Sequence, residues 1–311
     1  MSTQWQTLKP SDILTSEQSH RLRQRSDLMG FWLLAHCWGV IIAAWALYAL
    51  IPHPATWLLG WLLVGGRQLG LAILMHEGSH GMLFRTRRLN ETLAVWAAGA
   101  PVLVDMGAYR KRHMAHHRFT RTDEDPENYL YTPFPVSRTS MGRKFLRDIT
   151  GIAFWRGQIG LFRFVKAKAG WAGVWHYYSR PLAFHAVLFA CLAGLGRIDI
   201  FLLLWLLPLM TSYPLALRVR NIAEHATVPD LADPLRNSRT TLANPIERAF
   251  FAPYWVNYHI EHHLMPYVPC YRLPELHNIL KAQGITGRME IRKGYMDILR
   301  LNAGLKTEKA T

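Results

Sequence analysis

The sequence predicts an all-α, polytopic membrane protein, with about four transmembrane helices in two hairpins and a cytoplasmic helical cap. Three observations lead there. The apolar residues of this 311-residue chain are gathered in long blocks, with the charges outside them. The 36 Lys and Arg outnumber the 21 Asp and Glu, giving a net charge of +15, and they crowd into the segments between and beyond those blocks. Eight of the 15 histidines sit in three short boxes, HEGSH at 76–80, HMAHH at 113–117 and HIEHH at 259–263.

Residues 1–28 are polar and end in Arg21, Arg23 and Arg25, a cytoplasmic segment with a helix start expected at Ser11 or Ser16. The first span lies near 29–51; it carries no formal charge and has Trp32, Trp45 and Tyr48 towards its ends. His36 within it reads as a helix-packing residue. Pro52-His53-Pro54 makes a tight loop, and a second span near 56–75 delivers His76. Arg67 in that span must face the interior, because a charge at mid-membrane costs roughly 2.5–3.5 kcal/mol on insertion scales. After Arg85, Arg87 and Arg88 comes an apolar stretch, 92–104, which is short for a crossing and contains Pro101. We expect it to dip into the membrane and return, since a crossing would put His80 and His113 on opposite sides.

From 109 to 170 the chain is basic and broken by Pro126, Pro133 and Pro135, with an amphipathic helix expected around Arg156–Lys168. A second hairpin follows, with spans near 181–196 and 200–217 joined at Arg197 and Asp199. These elements make 29–280 one membrane domain, followed by a cytoplasmic tail, 281–311. Four crossings then leave only residues near 52–55 and 197–199 on the far side, and Arg197 is the sole Lys or Arg there. All the histidine boxes share the cytoplasmic side. The charge count and the box positions reach that result separately.

Cys37, Cys191 and Cys270 form no C-x-x-C, so neither a disulfide framework nor a thiolate metal site is expected. The N-terminus lacks the pattern of a cleaved signal peptide. The positive charge fits an anionic membrane surface, and no nucleic-acid-binding motif accompanies it.

On a helix each box projects its histidines from one face at i, i+3 or i+4. A ninth, His225, lies between boxes two and three in NIAEH. A tetrahedral structural zinc takes four ligands, so nine imidazoles imply at least two metals with positions to spare. HEGSH alone fits the H-E-x-x-H zinc hydrolase pattern with Glu77 as base. That chemistry leaves the other boxes unexplained. A membrane metal carrier would place its ligands near mid-membrane in broken spans, whereas these sit at span ends or beyond. Imidazole admits zinc, copper, iron or nickel.

The order H-E-x-x-H, H-x-x-H-H, H-x-x-H-H, with HEGSHG, HHRFT followed by DEDPEN, and NYHIEHHLMP, resembles the membrane fatty acid desaturase family of the desaturase–hydroxylase superfamily. The likeness runs from about residue 30 to 280. It implies two iron ions on histidines at the cytoplasmic membrane face, O2 as co-substrate, and removal of hydrogens from a lipid acyl chain. The expected ligands are His76, His80, His113, His116, His117, His225, His259, His262 and His263, with Asn221 acting through water in the family's N-x-x-x-H pattern. They are not divided between the irons. A hydroxylase or carotenoid ketolase of the same superfamily is the alternative, and an intramembrane zinc protease a remote one. No H-P-G-G of a fused cytochrome b5-like segment occurs, so electrons are expected from a separate donor such as a ferredoxin or a cytochrome b5-like protein. The expected location is integral to the membrane, the inner or plasma membrane if the chain is bacterial.

Glu77, Glu224 and Glu261 adjoin expected ligands and either orient imidazoles or face water. Asp123 to Pro126 reads as a turn. His20, His53, His176, His185 and His277 have no spacing partner and read as structural.

Overall fold

The computed structural model describes residues 10–304; the outermost parts of the expected N-terminal segment and C-terminal tail, 1–9 and 305–311, lie outside the described residues. It is helical almost throughout, with one two-stranded parallel pair, Thr240–Leu242 with Ile291–Lys293. Three helices are long and apolar enough to cross a membrane: Asp27–Leu50, Pro54–Ser79 and Ile198–His225. A fourth candidate is the bent pair Arg87–Val102 and Met106–Phe119, whose halves meet at 91°, the form of a broken span or a re-entrant loop. The expected span at 181–196 falls within Ile152–Gly194, a 43-residue helix with non-helical angles at Gly170. It is not among the three.

Local chemistry sets the ends of these elements. Ser26 accepts the Met29 N–H at 3.2 Å and starts the first long helix. The Pro52-His53-Pro54 loop ends in a capping arrangement: the His53 ring accepts the Ala55 N–H at 3.1 Å, with Pro54 in the first turn. Near the N-terminus the cap is Thr15, one residue before the expected Ser16, and Gln18 completes a capping box. Asp105 caps the helix of the second box, accepting the Ala108 N–H at 2.8 Å just after Leu103 turns the chain through positive φ.

Pro54–Ser79 is the central post. Small residues let its neighbours approach closely, as in membrane helix pairs generally. A Cβ on Gly65 would overlap the Ser212 hydroxyl, and one on Gly78 would overlap Ala94 of the bent segment. Its polar residues face inward. Arg67 donates to the Ala249 carbonyl, the partner that the sequence leaves unnamed. Gln68 donates to the Trp205 carbonyl at 2.9 Å. Pro208 has no N–H for the Leu204 carbonyl four residues back, and the Trp45 indole N–H takes that acceptor at 3.0 Å. The helix there relaxes into a π-helical stretch, Leu202–Leu206. His36 binds the Tyr254 hydroxyl at 3.1 Å, the packing role expected of it.

The stretch expected as a tail is folded from 281 to 304. Ile291–Lys293 pairs with Thr240–Leu242, and Tyr295 and Ile298 of the helix Tyr295–Asn302 are buried. The Asn302 side chain accepts the Thr227 hydroxyl at 2.8 Å.

Gly65→Val should cost about 1–3 kcal/mol through overpacking against Ser212, seen as a lower unfolding midpoint in detergent. Gly39→Ala, where an added Cβ meets nothing, should leave the midpoint in place. Equal midpoints for the two variants would contradict this packing.

Candidate metal centre

Four separate elements bring the nine histidines to one place. Pro54–Ser79 carries His76 in its last turn, with His80 as its C-cap. Arg110 donates to the Ser79 carbonyl at 2.8 Å, satisfying a helix-end acceptor beside His80. Met106–Phe119 carries His113, His116 and His117. His225 is the last residue of Ser212–His225. The third box is a six-residue helix, His259–Leu264, too short to stand alone. The strand pair steadies it: Thr241 N–H donates to the Asn257 carbonyl and the Asn257 amide returns a bond to Thr241, both at 2.9 Å.

The nine histidines form two groups. His76, His80, His113, His117 and His262 make the first, and His116, His225, His259 and His263 the second; within each, the candidate ligand atoms lie within 4.8 Å of one another. Each H-x-x-H-H box serves both groups. Residues i and i+4 differ by about 40° around a helix of 3.6 residues per turn, whereas i+3 lies about 60° to the other side. So His113 and His117 go to the first group while His116 goes to the second. In the third box His259 and His263 go to the second, and His262 crosses to the first. The two groups touch where the His117 and His263 rings stand 4.4 Å apart.

The ring spacing bears on what the groups can hold. His117 Nε2 lies 3.0 Å from His113 Nε2 and 3.1 Å from His262 Nε2. His259 Nε2 lies 2.8 Å from His225 Nε2 and 3.1 Å from His263 Nε2. At a metal–nitrogen distance of about 2.1 Å, neighbouring ligands are about 3.4 Å apart in a tetrahedron and about 3.0 Å apart in an octahedron. These shortest spacings are nearer the octahedral edge than the tetrahedral one, and the ligand atoms of each group all lie within 4.8 Å of one another. Burial holds His262 and His263 well below the usual histidine range, so both are neutral with a lone pair free to coordinate.

Several of the outward-facing nitrogens meet acceptors, whereas His113 Nδ1 and His117 Nδ1 are buried without a hydrogen-bond partner. Asp125 receives His116 Nδ1 at 3.0 Å, the Tyr131 hydroxyl, and the backbone N–H groups of Arg121 at 3.0 Å and Glu127 at 2.9 Å. Burial alone would raise its pKa, but those bonds outweigh burial and keep Asp125 below the ordinary carboxylate range. His225 Nδ1 faces the Asn237 carbonyl at 3.3 Å, and His263 Nδ1 the Thr120 hydroxyl at 3.3 Å. Glu224 stands 3.4 Å from His259 Nδ1 and is itself paired with Arg220 at 2.7 Å. Glu77 lies 3.2 Å from His76 Nδ1, and its other oxygen accepts the Cys270 N–H at 2.9 Å. A carboxylate pinned in this way is not poised as the base of a zinc hydrolase. Glu261 turns away from the boxes to His277 at 2.5 Å and the Thr240 hydroxyl at 2.5 Å.

Asn221 lines a small polar cavity beside His116, His225 and His259, together with Glu127 and Tyr131. Three participants escape sequence reasoning: Asp125, Tyr131 and Arg220. Asp125 sits in D-E-D-P, where a turn explains the acids equally well.

An acceptor fixing a ligating imidazole is commonly worth a factor of about 10–100 in metal affinity. Asp125→Asn should lower metal retention by that order, measured by competition with a graded chelator. Asp123→Asn, exposed on the same turn, should not. Equal retention by the two variants would contradict the role given to Asp125.

A family model described as fatty acid desaturase matches residues 52–294. The dihydrorhizobitoxine desaturase of Bradyrhizobium elkanii is 26% identical over 272 residues, covering 81% of this chain and 75% of that protein. The zeaxanthin 4-ketolase of Chlamydomonas reinhardtii is 24% identical over 270 residues, 82% of this chain and 51% of the relative. The beta-carotene ketolase of Paracoccus sp. (strain N81106 / MBIC 01143) is 26% identical over 251 residues, 76% and 88% respectively. The matched stretch holds all three boxes and most of the chain, and on that ground the protein belongs to the fatty acid desaturase family.

Proposed function

We propose that the chain is an O2-dependent membrane oxidoreductase that introduces a C=C bond into a lipid acyl chain, using two iron ions held by its histidines. The sorting of nine histidines into two adjoining nitrogen-rich groups carries this reading. Five and four imidazoles leave space in a six-coordinate shell, which an oxygen-activating centre needs and a structural site does not. When bound, iron in such a shell supplies the binding and reduction of O2 that cleaves unactivated C–H bonds. The balance is one –CH2–CH2– unit, O2, two electrons and two protons giving –CH=CH– and two waters. A separate donor, a ferredoxin or a cytochrome b5-like protein, supplies the electrons.

The chain's own residues keep the centre in register. His76, His80, His113, His117 and His262 would hold one ion. His116, His225, His259 and His263 would hold the other, with Asn221 acting through water. Asp125 and Glu224 orient His116 and His259, and Arg220 balances the Glu224 charge in a buried setting where an unpaired carboxylate would be costly.

The shared site also supports the topology. His80 precedes the bend between Arg87–Val102 and Met106–Phe119 and His113 follows it, and their rings lie 5.1 Å apart, which supports a segment that dips and returns. His117 and His263 are neighbours although the second hairpin lies between them, so that hairpin must come back to the side it left. With the lysines and arginines concentrated on the same side, the boxes face the cytoplasm in a bacterial inner membrane or plasma membrane.

A ketolase or hydroxylase is the second reading, favoured by relatives whose names are carotenoid ketolases. The test is to express the chain with an electron donor, assay bound iron and zinc, and profile lipids by mass spectrometry. The proposal expects about two iron ions per chain and lipids lighter by two hydrogens, both lost on His262→Ala. Added oxygen would select the second reading. Zinc alone, one ion per chain, would overturn both.

A further inference from the structure

Between Asp148 and Asp199 the sequence contains no acidic residue. The helix Ile152–Gly194 fills most of that interval, and Gly170, at φ 62° and ψ −161°, divides it into two arms. The second arm, 171–194, is apolar, and its single Lys or Arg, Arg180, pairs with Asp105 at 3.3 Å. The first arm, 152–169, is different. One exposed stripe at helical spacing carries Ile152, Trp155, Arg156, Ile159, Arg163 and Lys166, while Phe154, Leu161 and Val165 on the opposite side are half-buried.

Such a stripe suits neither bulk water nor hydrocarbon. Trp155 is 58% exposed and Ile159 48%, an apolar surface that water would leave unpaired. Arg156, Arg163 and Lys166 take part in no ion pair among the described residues, and Lys166 stands 4.3 Å over the Trp171 ring, so in the acyl region these charges would lack any anion. The headgroup layer accommodates both kinds of side chain. Indole and aliphatic groups reach the acyl boundary, while long cationic side chains extend to phosphates. Trp171, 66% exposed, stands just beyond the Gly170 bend, where an interfacial aromatic marks the passage into the apolar arm.

We propose that residues 152–169 form an interfacial arm that lies on the bilayer and binds anionic lipid headgroups through Arg156, Arg163 and Lys166. An acidic protein would neutralise the cations, but it would have to fit the interleaved Ile and Trp side chains as well. A fluid lipid surface meets both without a shaped partner, and the arm runs directly into the apolar arm. The inference rests on the chain being membrane-embedded and is independent of the reaction proposed above.

The test uses the full chain in vesicles. In a Cys191→Ser background, with Cys37 and Cys270 buried, Ile159→Cys is labelled with a polarity-sensitive dye. Gly160→Cys, where an added Cβ meets nothing, serves as a second position. The vesicles are phosphatidylcholine with or without phosphatidylglycerol. Blue-shifted emission, quenching by brominated acyl chains and protection from aqueous iodide are expected. The shift should grow with phosphatidylglycerol, and that gain should vanish in R156Q/R163Q/K166Q. Water-like emission with full iodide quenching at both positions would overturn the arm's placement. Equal shifts with and without phosphatidylglycerol would overturn the anionic recognition.

Discussion

Nine mostly buried imidazoles crowd together, four pairs of their ring nitrogens lie 2.8–3.1 Å apart, and two lone pairs facing at that distance repel unless something positive sits between them. An N–H on one ring can relieve one pair at a time, whereas four or five nitrogens converging together are a donor set that could hold a cation. Much of the fold positions that set. The central helix ends at the site, the bent segment re-enters beside it, and a three-residue strand pair clamps the shortest of the box helices. Around the rim Asp125, Glu224, Asn237 and Thr120 face the outward nitrogens of His116, His259, His225 and His263, which leaves the inward nitrogens of those four rings to coordinate.

The boxes were readable because i, i+3 and i+4 place side chains on one helix face whatever lies around them. Their division was not, since it depends on how two such helices cross. The i+3 residue of each H-x-x-H-H box, His116 and His262, joins the group that holds the i and i+4 histidines of the other such box. Asp125 was hidden for a similar reason: only the path of the chain after Phe119 turns it inward towards His116 and Tyr131. The apolar blocks announced the long helices, yet their ends moved. Pro54–Ser79 runs past the expected end at 75, so His76 lies within it, and Ile198–His225 carries the second span on to the ninth histidine. Arg180 and Pro181 suggest a boundary at the start of the third expected span, but the helix passes through both and bends at Gly170 instead. Strands of three residues, such as Thr240–Leu242, have no pattern long enough to read.

Membership in the desaturase family and the site geometry constrain different things. The family supplies a class in which desaturases and ketolases are both represented among relatives. The geometry narrows the metal chemistry: Glu77 is bound to the Cys270 N–H rather than free as a base, and the donors are nitrogen throughout. The environment narrows the setting, since a bent helix with a basic, aromatic arm and an apolar arm belongs at a membrane boundary.

Anomalous diffraction at the iron absorption edge tests the central claim most directly. The account predicts two iron peaks in each chain, one within the ring of His76, His80, His113, His117 and His262 and one within that of His116, His225, His259 and His263. A single peak shared by the two groups, or a signal at the zinc edge alone, would contradict it.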